Sequence, residues 1–433
     1  MSALGDGRPV ESVIDDLRAL RRDDADWASG RTFGMVYDGG PDVHRVAEEA
    51  ARLYLHENAL NTKAFPSLGK IQADVVRWTA DLLHGDAAAS GFLTSGGTES
   101  ILCAVLAARE RGRAERGITE PEMVVAQSAH AAFHKAAHLF GVTVRSTRVL
   151  DDWTADVASM ADAITGKTVL VVGSAPQYPQ GVIDPIPEIA ALAAASGANC
   201  HVDACMGGFV LPFAEMLGRD IAPWDFRVDG VTSISADVHK LGYAPKGVSV
   251  ILHRTKALRA YQTFVFDDWL GGFYASPNIQ GTRPGLPMAA AWAVMQHLGV
   301  DGYVGLTRIA IETADRLRAG IAGIDGIRVL GDGRLHLVAM AADTGDRASS
   351  GQTSSDQPSG DQRPGVDVFA LGDALQQRGW FHDRQGPPDS LHSTVSNGNA
   401  AVIDTYLDDL RACVAELRGR RAEDRSTNYA TLE

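Results

Sequence analysis

Three short apolar runs, Met123-Val124-Val125, Val169-Leu170-Val171-Val172 and Cys200-His201-Val202, recur between helical stretches and leave this chain few folds to choose from. A strand with consecutive apolar residues is buried on both faces, which happens in a mostly parallel sheet covered by helices on either side. Between the second and third runs, the segment from Pro187 to Ala195 carries proline at its first turn and an Ala/Leu-rich body. It therefore predicts the crossover helix of a right-handed strand-helix-strand unit. The alternation extends from about Ala64 to about Leu298 and makes the fold class α/β.

Such sheets bind ligands beyond the carboxyl ends of their strands, and three segments place reactive groups there. The run from Gly230 to Ile234 reads as one strand and that from Gly247 to Leu252 as the next, so Lys240 stands in a tight loop between them, after Ser235-Ala236-Asp237-Val238-His239. A lysine taken alone is more often a solvated surface charge, but at a strand end it is presented as Schiff-base lysines are. Asp203 ends the strand His201-Val202-Asp203, where it points a carboxylate into the crevice or caps a helix. Thr94-Ser95-Gly96-Gly97-Thr98-Glu99-Ser100 is a glycine-rich turn opening a helix, whose free N–H groups and positive end would face an anion.

The lysine loop resembles that of the sphingosine-1-phosphate lyases, pyridoxal-phosphate enzymes of the fold-type I group that also contains glutamate and aromatic amino-acid decarboxylases. The segments from Gly173 to Pro185, Ala244-Pro245-Lys246-Gly247, and from Tyr274 to Gly285 favour the lyases over the decarboxylases. The similarity runs from about Phe33 to about Tyr303 and continues more faintly to about Val395. It implies pyridoxal 5'-phosphate as cofactor, with Lys240 forming the Schiff base, Asp203 keeping the pyridine nitrogen protonated and His130 stacked on the ring. By the same resemblance Gly97 and Thr98 hold the cofactor phosphate with help from His239, and Thr282 reaches the cofactor phosphate of the neighbouring subunit in a homodimer. Tyr37, Tyr178 and Lys246 map to active-site positions. Two residues depart from the family pattern. Thr282 replaces a serine and keeps the hydroxyl, whereas Asn61, three residues after Asn58, replaces a histidine thought to contact substrate.

The implied reaction is cleavage of a phosphorylated long-chain 2-amino-3-hydroxy base between carbons 2 and 3, giving a long-chain aldehyde and phosphoethanolamine. Tyr37, Tyr178, Lys246 and the freed Lys240 are all candidates for the base that takes the 3-hydroxyl proton. An amino-acid decarboxylase would use the same ring but need a carboxylate-binding group in place of the phosphate site, and Ala244-Pro245-Lys246-Gly247 argues against it. A catalytically silent cofactor-binding scaffold is disfavoured because Lys240, Asp203, His130 and the glycine turn are all intact.

Composition sets the remaining bounds. A net charge of −14 over 433 residues argues against nucleic acid and anionic lipid surfaces as partners. Cys103, Cys200, Cys205 and Cys413 have apolar neighbours and no metal-ligand spacing, so they predict buried thiols in a reducing cytoplasm and no metal site. No signal peptide or membrane-spanning run is legible, which suits a soluble, bacterial-type member of the family without a membrane anchor. The expected organisation is an N-terminal helical segment over 1–63, a large cofactor-binding domain over 64–303 and a small α+β domain over 304–433. Residues 343–364, rich in Ser, Gly, Asp and Gln, predict a disordered insertion.

Overall fold

The computed structural model describes residues 5–343, 365–417 and 419–427. The expected insertion at 343–364 lies outside them apart from Asp343.

A seven-stranded sheet organises the larger part of the chain. Its strands are β1 (Ser90–Thr94), β2 (Glu122–Ala126), β3 (Thr143–Thr147), β4 (Thr168–Ser174), β5 (Asn199–Asp203), β6 (Val231–Ala236) and β7 (Ser249–His253), in the order β1-β7-β6-β5-β4-β2-β3. Pairing from β3 through β6 is parallel, whereas β7 is antiparallel to both β6 and β1. Every residue of β2, β4, β5 and β7 is buried; β2 and β4 are accordingly apolar or small almost throughout, while the polar Asn199, His201 and Asp203 of β5 and His253 of β7 are buried with hydrogen-bond partners. The expected crossover helix is Ile186–Ser196, connecting the adjacent strands β4 and β5.

A hairpin of β8 (Phe264–Phe266) and β9 (Tyr274–Ser276) follows, and then a four-stranded antiparallel sheet. Its strands are β10 (Ile327–Leu330), β11 (Leu337–Ala342), β12 (Asp383–Gln385) and β13 (Ser390–Thr394), in the order β10-β11-β13-β12. The two sheets sit on separate hydrophobic clusters, and the helical stretch Gly285–Ala322 serves both. Met288 and Val294 join the first cluster, Ala314, Leu317 and Ile321 the second, and Gly299 at φ +53° breaks the helix between them. The boundary expected at 303/304 therefore falls inside a helix rather than in a linker. Phe33, from the N-terminal segment, is buried in the second cluster against Trp380 and Tyr406.

Within the expected N-terminal helical segment a helix forms at Val10–Leu20, but it buries no residue against its own chain. Val10, Val13, Ile14, Leu17 and Leu20 present an exposed apolar stripe at helical spacing. All four cysteines are buried free thiols.

Candidate active site

Because β1, β2, β4, β5 and β6 point the same way, their carboxyl ends open into one cleft, a cavity of about 280 Å³. It is lined by the glycine turn after β1, His130 after β2, Ser174 at the end of β4 and Tyr178 after it, Asp203 at the end of β5, and Asp237, His239 and Lys240 after β6. The fold thus collects residues more than a hundred positions apart at one edge of one sheet.

Lys240 sits in the turn between β6 and β7. That turn is closed by Tyr243 N donating to Lys240 O at 2.9 Å and Ala244 N donating to Val238 O at 3.1 Å. Tyr243 adopts φ +60°, an uncommon conformation for a side chain of this size, and packs beside Tyr303, whose hydroxyl donates to Gly242 O at 2.9 Å. Lys240 Nζ is held 3.0 Å from Asp237 Oδ2, while Asp237 Oδ1 accepts from Ser249 Oγ at 2.6 Å. Burial opposes the Asp237 charge, but the Lys240 ammonium and the hydrogen bond from Ser249 outweigh it and keep its carboxyl below the ordinary range. Burial pushes His239 down to about 4, so the imidazole is neutral, with Nδ1 accepting from Val248 N at 3.3 Å.

Asp203 Oδ1 accepts from Cys205 N at 3.1 Å and Ser235 Oγ at 3.2 Å. Ser235 is held in turn by His201 Nε2 at 3.2 Å, so the carboxylate is aimed through a buried chain of hydrogen bonds. His130 accepts from Ala132 N through Nδ1 at 3.1 Å; burial lowers its pKa despite the opposing charge of Asp203, leaving a neutral, flat ring in the cleft.

The twenty-residue helix Gly97–Arg116 begins at the cleft without a side-chain cap, and its first-turn N–H groups remain as an anion cradle. Glu99 braces that turn, accepting from Ser95 N at 2.6 Å and from Ile279 N at 2.9 Å. A Cβ at Gly97 would stand 2.8 Å from both Asp237 Oδ2 and Cys205 Sγ, so the backbone approaches these groups only because no side chain intervenes. These residues fit pyridoxal phosphate. A lysine amine, a carboxylate, a flat imidazole and a bare helix N-terminus surround one cavity.

The other expected residues lie outside the cavity lining. Lys246 Nζ donates to His239 O at 2.9 Å and stands 4.4 Å over the Tyr37 ring. The residue is exposed as a whole, yet partial desolvation of its ammonium and the nearby Lys240 charge lower its pKa to about 8. Asn58 and Asn61 use their side-chain oxygens locally, accepting from Leu60 N and Lys63 N. Ala59 N donates to Arg283 O at 2.8 Å and Asn58 bridges Pro284 in antiparallel fashion, so the segment from Asn58 runs alongside that of Thr282, which is exposed and outside the cavity lining of its own chain.

Sequence reasoning gave no role to Asp237, Ser235, Asp383 or His392. Asp237 was within reach, being three residues before Lys240. Asp383 and His392 carry no local signal, yet Tyr178 Oη donates to Asp383 Oδ2 at 2.6 Å and its ring lies 4.0 Å from that of His392.

Residues 6–341 match the pyridoxal-dependent decarboxylase conserved domain. The chain is 40% identical to the sphingosine-1-phosphate lyase of Oryza sativa over 410 residues, spanning 93% of this chain and 72% of the relative. It superimposes on the structure of Burkholderia pseudomallei sphingosine-1-phosphate lyase with a TM-score of 0.88 and 38% identity, covering 96% of this chain and 93% of the other. The Lactobacillus brevis glutamate decarboxylase structure matches at TM-score 0.80 with 20% identity, covering 96% and 95%, a likeness of fold.

Proposed function

The chain belongs to the sphingosine-1-phosphate lyase family of pyridoxal-phosphate-dependent enzymes, and we propose that it cleaves phosphorylated long-chain sphingoid bases to a long-chain aldehyde and phosphoethanolamine. The observation that carries this reading is the extent of the likeness to lyases, 38–40% identity over more than nine-tenths of the chain, against 20% to the glutamate decarboxylase.

Pyridoxal phosphate, when bound, supplies an electron sink for the carbanion left as the carbon–carbon bond breaks. Around it we assign Lys240 to the covalent link, Asp203 to holding a proton at the pyridine nitrogen, and His130 to the face of the ring. Gly97 and Thr98 receive its phosphate at the helix start, with neutral His239 beside them. Lys246 and Tyr37, already paired outside the cavity lining, suit the anionic head group of the substrate, since a charged donor gains from a phosphate what it cannot gain from a hydroxyl.

A homodimer completes the site in this reading. Three features support it: Thr282 with Asn58 and Asn61 outside their own cavity, the unburied stripe of helix Val10–Leu20, and the exposed Phe264, Phe266 and Phe273 of the β8–β9 hairpin. Among the described residues no helix is long and apolar enough to cross a membrane, and we assign the enzyme to the cytoplasm because its cysteines are buried free thiols.

The test is to incubate the protein with a phosphorylated sphingoid base and, separately, with a panel of amino acids. Aldehyde from the first is expected. Carbon dioxide from the second, without aldehyde from any phosphorylated base, would replace the lyase reading with a decarboxylase.

A further inference from the structure

Tyr178 is the tyrosine that lines the cleft together with Lys240 and His130, whereas Tyr37 and Lys246 stand outside that lining. It is held from both sheets. On its own side, the loop after β4 is clamped by Asp184, which accepts from Ser174 N at 2.8 Å and Ala155 N at 2.9 Å. From the small sheet, Asp383 of β12 pairs across to His392 of β13, placing the two side chains on one face. His392 lies against the Tyr178 ring and is fixed by Thr394 Oγ1 at Nε2, 3.1 Å away, with Pro179 O 3.3 Å from Nδ1. Asp383 accepts the Tyr178 hydroxyl at 2.6 Å, in the range of a hydrogen bond to an ionised carboxylate.

We propose that Tyr178 takes the proton of the substrate's 3-hydroxyl while passing its own phenolic proton to Asp383, which makes Asp383 a positioning residue for the cleavage step. The inference rests on the lyase reading above. The hydroxyl O–H bond breaks and a new O–H bond forms at Tyr178, whose former proton moves to Asp383 Oδ2. The electron pair of the bond between carbons 2 and 3 stays with carbon 2, and the 3-oxygen becomes the aldehyde carbonyl. One proton leaves the hydroxyl and one is taken up at carbon 2 before phosphoethanolamine departs, so no outside oxidant, reductant or water enters the balance.

Two features favour Asp383 as the receiving group. Burial raises its carboxyl above the ordinary carboxylate range even though the Tyr178 bond opposes this, so it is a better proton acceptor than an exposed aspartate. Its Oδ2 also meets the phenolic oxygen directly, so the two transfers share one oxygen and need no mobile intermediary.

The experiment compares Asp383→Asn, Tyr178→Phe and the double variant with wild type, measuring aldehyde release, cofactor absorbance and thermal melting. Asp383→Asn preserves shape and an acceptor oxygen but cannot take the proton. It should lower kcat by about 10²-fold, the usual scale of general acid–base assistance, with KM within about twofold and cofactor absorbance unchanged. Tyr178→Phe should match it, and the double variant should be no worse than either single one, because both remove the same path. Wild-type kcat in Asp383→Asn, or losses that multiply in the double variant, overturns the relay while leaving the lyase reading intact. If Asp383→Asn loses its cofactor or melts early, Tyr178→Phe decides from the cleft side, and kcat within threefold of wild type there overturns the proposal. A wild-type enzyme that releases carbon dioxide and no aldehyde overturns the functional reading and the relay together.

Discussion

Lys240 Nζ stands 3.0 Å from Asp237 Oδ2, and the partner carboxylate is itself sealed under the glycine turn. The pair sets the amine at the mouth of the cleft, next to the helix start that would receive an anion. Lys240 alone among the lysines should therefore carry the cofactor. Borohydride reduction and peptide mapping are expected to find the pyridoxyl group there, and recovery on Lys246 or Lys135 would contradict the assignment.

Asp203→Asn should keep the cofactor and lose most turnover. The amide preserves the contact with Cys205 N but cannot stabilise a protonated ring nitrogen as a carboxylate does. Loss of one charged hydrogen bond is worth roughly 1.5–3 kcal/mol, or about one to two decades in rate if it acts wholly in the transition state. Steady-state assay with spectroscopic confirmation of bound cofactor checks this, and near-normal kcat would return Asp203 to a turn-forming role.

Lys246 gives a pH dependence with a definite sign. Its ammonium is the form that pairs with a phosphate, and burial, the larger cause, lowers its pKa below the ordinary lysine range; the Lys240 charge adds to this only while that amine is free of cofactor. The kcat/KM for a phosphorylated base should fall as pH rises through this lowered pKa, with KM carrying the change. Lys246→Gln should show a higher KM throughout and no such inflection. A wild-type profile flat from pH 7 to 9 would remove Lys246 from the head-group site.

The stripe on helix Val10–Leu20 should find its cover in a second copy. Ile14 and Leu17 are 37% and 53% exposed in the single chain, and an aspartate at each would place two charges in any interface they form. Ile14→Asp/Leu17→Asp should weaken dimerisation by tenfold or more in light scattering across a concentration series. Turnover should drop with dissociation, because Thr282 then loses the neighbouring cleft it is expected to serve. A wild-type protein that is monomeric and fully active would sink the dimer.

The large sheet was legible in the sequence because strands buried on both faces tend to be apolar at both parities, as β2 and β4 largely are, and because helical stretches alternate with them; β5 alternates polar Asn199, His201 and Asp203 with apolar Cys200 and Val202. Lys240, Asp203 and the Gly96-Gly97 turn were legible because each lies at a strand end, where a local break in the apolar pattern marks it, whereas His130 came from the family resemblance alone. Asp237 was overlooked beside them since a carboxylate in a polar turn reads as solvated, and only the structure closes Gly97, Cys205 and Ser249 around it. Asp383 could not be read at all. It is 205 positions from Tyr178, in a three-residue strand whose neighbours Arg384 and Gln385 are also polar, so no period or motif announces a contact with the cleft.

The Tyr178–Asp383 hydrogen bond joins a loop of the large sheet to an edge strand of the small one, and the decarboxylase-domain match ends at residue 341, before that strand begins. If the proposed relay operates, competence to turn over needs a stretch of polypeptide beyond the one that holds the cofactor. A hydrogen bond fails within a fraction of an ångström, whereas a cleft enclosed at many points tolerates such a shift. Loosening the packing of the small sheet, by mild denaturant or a cavity at Trp380, would then yield a protein that keeps its chromophore and colour while its catalysis fades first.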